Sequence, residues 1–137
     1  MTSRAPRAQT LTLALLGAFA VAVPAAAHHS FAMFDQKQIV TLSGKVHEFQ
    51  WTNPHAFLEI DDAKGKRWSL ELNSPNNLKR QGWVRSSVKP GDAVTVRMNP
   101  LRDGQPGGLF LDLKFPDGKM LDSGLPKNGQ PVNVPHV

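Results

Sequence analysis

The chain has 137 residues and a mass of 15.0 kDa, length for one small domain and no second. Cys and Tyr are both absent, which excludes a disulfide framework, a thiolate metal site, a thiol nucleophile and a tyrosyl general acid. Sixteen Lys and Arg against 11 Asp and Glu give +5. With Arg4 and Arg7 in a removable leader the rest carries +3, too little and too dispersed to argue for nucleic acid.

Residues 1–27 read as an export signal. Arg4 and Arg7 form a positive start, Leu11 to Val23 is an uncharged apolar stretch of 13 residues, and Pro24 breaks it before Ala25-Ala26-Ala27. A membrane span needs roughly 20 apolar residues, so the stretch is too short for a stable anchor. The two arginines are not adjacent, which excludes a twin-arginine signal. The expectation is a bacterial protein that is periplasmic or secreted, with a mature chain of 110 residues.

The mature chain alternates as strands do. Val40, Leu42, Gly44 and Val46 share one phase; Phe49 and Trp51 share the other, so a β-bulge between Val46 and Phe49 is expected. Thr52-Asn53-Pro54 interrupts the strand, and His55–Asp61 with Arg67–Leu72 form a hairpin across the turn Asp62–Gly65. Ser74 and Pro75 start a short helix, as N-cap and first helical residue, and Gly82 ends it. Ala93–Met98 is a clean alternating strand. Leu109, Leu111, Leu113 and Phe115 predict another with one apolar face, followed by a weak strand at Met120-Leu121. Five strands with a helix between the third and fourth predict an all-β, OB-like Greek-key barrel over residues 28–121, the alternative being an antiparallel β-sandwich. Residues 122–137 are rich in Gly, Pro, Asn and Lys and read as a flexible tail.

The strings AHHSFAMFD (Ala27–Asp35), FQWTNPHAFLEI (Phe49–Ile60), NLKRQGW (Asn77–Trp83) and VKPGDAVTV (Val88–Val96) resemble a bacterial family of small exported proteins catalogued as a domain of unknown function. The resemblance implies an exported single domain and brings no activity, ligand or catalytic residue. At fold level the chain is also similar to small periplasmic OB-fold proteins implicated in stress tolerance and ligand binding, and a fold does not fix a function.

Cleavage at the alanine run creates a free α-amine, a usable metal ligand near neutral pH. Cleavage after Ala27 makes His28 the first residue, whose amine and imidazole chelate Cu(II) as in the histidine brace of copper proteins. Cleavage after Ala26 or Ala25 puts His29 or His28 third, the amino-terminal copper and nickel motif. His47 and His55 are candidates to complete a three-nitrogen site. The competing reading is that two polar residues follow the signal and stay solvated.

The string Trp51-Thr52-Asn53-Pro54-His55 is the second candidate, a rigid turn in which Trp51, Asn53 and His55 could hold a small polar ligand. Its structural alternative has Trp51 packed under the barrel and His55 satisfying a backbone group. Met33, Met98 and Met120 stand singly and read as core filling, as do most of the aromatic residues, Phe31 included. No nucleophile elbow, carboxylate dyad or phosphate-binding loop is present, so no catalytic residue is assigned. The leading expectation is a small periplasmic protein binding Cu(II). The alternatives are a metal-free module for a polar ligand or an exported protein partner, and an accessory subunit of an exported redox enzyme.

Overall fold

A computed structural model describes residues 31–127 and 130–132. Strand β1 (Gln38–Gln50) is long enough to serve two neighbours in succession. Its first half pairs antiparallel with β4 (Ala93–Pro100), from Val40 opposite Met98 to Lys45 opposite Ala93. Its second half pairs with β2 (Phe57–Asp62), from Gly44 opposite Asp62 to Gln50 opposite Phe57. β2 turns into β3 (Arg67–Glu71), β3 runs parallel to β5 (Gly107–Lys114), and β5 returns antiparallel to β4. The ring closes as the expected five-stranded OB-like barrel, with helix α1 (Pro75–Arg80) between β3 and β4.

The bulge falls where the apolar phase changes. Val46 faces Ile60 and Glu48 faces Glu59, so His47 is the extra residue. That phase change lets Val46 and Phe49 both reach the core although three residues apart. Gly44 pairs with β2 and β4 at once, and a Cβ there would meet the Asp61 carbonyl oxygen at 2.4 Å and Ile60 Cγ2 at 2.7 Å. Gly44→Ala is therefore expected to destabilise by about 1–3 kcal/mol through forced separation of the strands. A urea midpoint equal to the parent's would contradict that close approach.

Ser74 Oγ accepts from Asn77 N at 3.3 Å and Pro75 opens α1, as the sequence predicts. Leu78 is buried among Leu72, Trp83 and the barrel strands, and Trp83 Nε1 donates to the Asp122 carbonyl at 2.8 Å. Strand β5 departs from expectation. Asp112 faces Arg97 while Phe110 faces Met98, which leaves Leu111 as a second bulge. The phase flip sends Phe110 and Leu113 into the core cluster, so the four apolar residues do not share one face. Leu109 and Leu111 are buried nonetheless. β6 (Met120–Asp122) pairs along β5, and Ser123 N donates to the Leu111 carbonyl at 2.9 Å.

Met98 is core, as expected. Met33, Met120 and Phe31 are exposed instead, because each lies on an arm or short outer strand with nothing packed above it. The segment after Asp122 begins fastened to the barrel: Ser123 is buried, Lys127 bonds Asp112 and Asp122, and β7 (Gln130–Val132) pairs parallel with β1. No helix among the described residues is long and apolar enough to cross a membrane.

Candidate functional site

The chain leaves β1 at Gln50 and reaches β2 through Trp51–Ala56, with a cis bond at Asn53-Pro54. Thr52 Oγ1 donates to the His55 carbonyl at 2.8 Å and closes the turn. The β2–β3 ladder runs on past both strand ends: Leu72 N donates to the Ala56 carbonyl at 2.8 Å, and Ala56 N to that of Asn73 at 3.3 Å. His55 is thereby set against the end of β3. Its Nδ1 is 3.1 Å from the Leu72 carbonyl oxygen and 3.1 Å from Glu71 Oε1. The Leu72 carbonyl, its hydrogen-bond partner, can only accept, so Nδ1 carries the proton and the neutral ring has its lone pair on Nε2. No described residue makes a hydrogen bond to Nε2. Glu71 is half-buried; burial pushes its carboxyl up, opposed by the positive charge that His55 carries when protonated.

His55, Glu71, Asn73, Leu109, Leu125 and Phe31 line a cleft of about 20 Å³. Phe31 belongs to an arm pinned to the β4–β5 connection. Phe34 bridges Leu101, Asp35 N donates to the Pro100 carbonyl at 2.8 Å, Arg102 N to that of Met33 at 2.9 Å, and Arg102 Nε to that of Ala32 at 3.0 Å. The arm thus arrives at the cleft holding His55. His28 and His29 precede it in sequence and lie outside the described residues.

His47 goes elsewhere. The β1 bulge leaves it half-exposed, with Nδ1 accepting from an Arg67 guanidinium nitrogen at 2.9 Å and standing 3.4 Å from Asp61 Oδ2. Arg67 also grips Asp61 through Nε at 2.9 Å, and that bond holds the Asp61 carboxyl below its usual range. Asp61 lies six residues along the chain from His55, about 20 Å of strand. The fold therefore keeps His47 and His55 apart.

Trp51 meets Phe49 edge-on with centroids 5.6 Å apart, Phe49 meets Trp83 at 5.7 Å, and Trp83 meets Phe110 at 5.5 Å. It is the outer link of an aromatic chain running into the core. Asn53 is exposed, and its side chain makes no hydrogen bond among the described residues. Neither residue lines the His55 cleft. Trp51→Ala is expected to cost about 1–3 kcal/mol of stability through lost aromatic burial. A urea midpoint equal to the parent's would contradict that packing role.

The larger depressions carry less chemistry. One of about 480 Å³ spans Ser43, Thr95, Lys114 and Phe115; it opens widely to solvent, and its two hydroxyls bond each other at 2.9 Å. Among the described residues no three His, Asp or Glu side chains gather to hold a metal ion. Glu71 escaped sequence reasoning because alternation in RWSLEL marks it only as an outward residue.

A family model described as Family of unknown function (DUF6152) matches residues 17–111. The chain belongs to that family. The match spans the paired histidines, the Trp51–His55 turn and the barrel as far as Leu111 in β5, and it carries no activity with it. No curated protein and no solved structure matches the chain.

Proposed function

We propose that this is a small exported binding protein, periplasmic or secreted, whose ligand is a copper ion held by the histidines of the processed N-terminus together with His55. The observation that carries this reading is the His55 cleft: about 20 Å³, with an imidazole fixed on its Nδ1 side and Nε2 available. Organic ligands occupy roughly 300–1,000 Å³, so a cleft this small suits an ion. Two residues lie between His28 and Phe31 on the rim, at most about 10 Å of chain, a span short enough for the α-amine and imidazole of His28 to join His55 in one site. Nitrogen donors of this kind favour Cu(II). His47, engaged by Arg67, has no part in the site.

The outer face of β1–β3 carries Glu48, Glu59, Asp61 and Glu71 against Lys45 and Arg67, a net negative balance and the wrong sign for a phosphate backbone. A second reading, a metal-free interaction module, draws on Phe31 and Met33, apolar side chains 45% and 49% exposed near the same cleft. Copper retention separates the two. The exported, processed protein is loaded with Cu(II) and challenged with a chelator. Retention by the parent and release by His55→Ala is expected; equal retention by both contradicts the reading.

A further inference from the structure

The chain after β6 has to travel around the barrel. β6 lies along the edge of β5 that faces away from β4, and β7 along the edge of β1 that faces away from β4. The segment joining them therefore crosses β5, β4 and β1 from outside, and Lys127 marks the crossing. Its ammonium stands 3.0 Å from Asp112 Oδ2 and also bonds Asp122. Asp112 points outward beside Arg97, yet its side chain is only 4% exposed, the cover an outward carboxylate gains from a segment lying over it. Leu109 is likewise buried without belonging to the core cluster, and it lines the His55 cleft together with Leu125 of the same segment.

Few contacts hold that segment down. Ser123 N donates to the Leu111 carbonyl at 2.9 Å. The next two bonds are local: Gly124 N donates to Asp122 Oδ1 at 2.7 Å, and Leu125 N to Ser123 Oγ at 3.1 Å. Pro126 has no N–H to donate, and the far anchor, β7, is a three-residue parallel pairing interrupted by Pro131. Among the described residues, Lys127 is the one side chain of Ser123–Lys127 that bonds a barrel strand. We propose that Ser123–Lys127 is a releasable strap and that Lys127 is its latch. Closed, the strap walls the cleft with Leu125. Open, it withdraws that wall and bares Leu109, while the fork of Arg97 on Asp112 keeps β4 and β5 joined. The Lys127 side chain is 30% exposed, so salt reaches the latch and weakens it. None of this depends on what the cleft binds.

The test follows amide hydrogen exchange and the fluorescence of anilinonaphthalenesulfonate in the metal-free protein, comparing the parent with Lys127→Ala and Lys127→Arg. Lys127→Ala is expected to speed exchange of the Ser123 amide by about tenfold while the amides of β4 keep their parental rates. Dye fluorescence should rise with it as Leu109 is uncovered. Lys127→Arg keeps the cation, so both readouts should stay within about twofold of the parent. Added salt should speed Ser123 exchange in the parent and leave Lys127→Ala unchanged. A parental Ser123 rate in Lys127→Ala would overturn the latch, and an equal acceleration in Lys127→Arg would overturn the part played by charge. Acceleration spread evenly over Ser123 and β4 marks loss of the whole fold and would overturn a strap that opens by itself. Local opening with no gain in dye fluorescence would overturn the role of Leu125 as a wall of the cleft.

Discussion

Replacing Arg97 with methionine is expected to destabilise the protein by about 3 kcal/mol at neutral pH, because it leaves a buried carboxylate without its principal partner. Asp112 sits mid-strand in β5 with its side chain 4% exposed. Arg97, directly opposite on β4, grips it as a fork, with Nε at 2.9 Å from Oδ1 and a terminal nitrogen at 2.5 Å from Oδ2. Lys127, from the segment after β6, adds a contact at 3.0 Å. Burial by itself would raise the Asp112 carboxyl; Arg97 and Lys127 overcome it and hold the carboxyl below its ordinary range. A carboxylate depressed in this way stabilises the fold fully above the ordinary carboxylate range, and the contribution fades as pH falls through the depressed value. In Arg97→Met burial loses its main opponent and the Asp112 carboxyl rises. The deficit is then largest at neutral pH and shrinks on acidification. Urea midpoints at neutral and mildly acidic pH measure this, and a parental midpoint at neutral pH would contradict it. The double variant Arg97→Met/Asp112→Leu should recover most of the loss, since a matched apolar pair leaves no stranded charge.

The second large effect concerns the metal. His28→Ala and His55→Ala are each expected to weaken Cu(II) binding by at least tenfold, since each removes a nitrogen donor from one ion. If both ligate the same ion, the losses are coupled: once one donor is gone, removing the other costs less than it does in the parent. A titration of the parent, both single variants and the double variant measures that coupling. Strictly additive losses would mean that the two histidines serve separate ions. His47→Ala, in the β1 bulge beside Arg67 and Asp61, is expected to keep parental affinity.

Local chemistry made much of the barrel legible. The change of apolar phase between Val46 and Phe49 announced a bulge, and the structure puts the extra residue at His47. Ser74-Pro75 announced the helix start, and strand order with one intervening helix announced the OB-like closure. The Leu111 bulge was not legible, because LFLDLKF alternates without interruption and only pairing with β4 reveals the extra residue. Arg97, Asp112 and Lys127 were unreadable for the same reason: three charges far apart in sequence become partners only through β4–β5 register and the docked segment after β6. His55 was legible as a candidate from its Pro turn. Its orientation depends on the Leu72 carbonyl, brought beside it by the hairpin ladder. For Trp51 the sequence offered both a ligand role and packing under the barrel, and the structure shows it ending a chain of rings that leads into the core.

The central claim is an ion-sized site shared between the processed N-terminus and His55. Its most direct test is the native intact mass of the exported protein, recorded before and after Cu(II) in the presence of a competing chelator. The reading predicts a chain beginning at His28, Ala27 or Ala26 that retains one copper, with His55→Ala processed identically and losing it. A retained leader, or copper surrendered to a mild chelator by the parent itself, would contradict it.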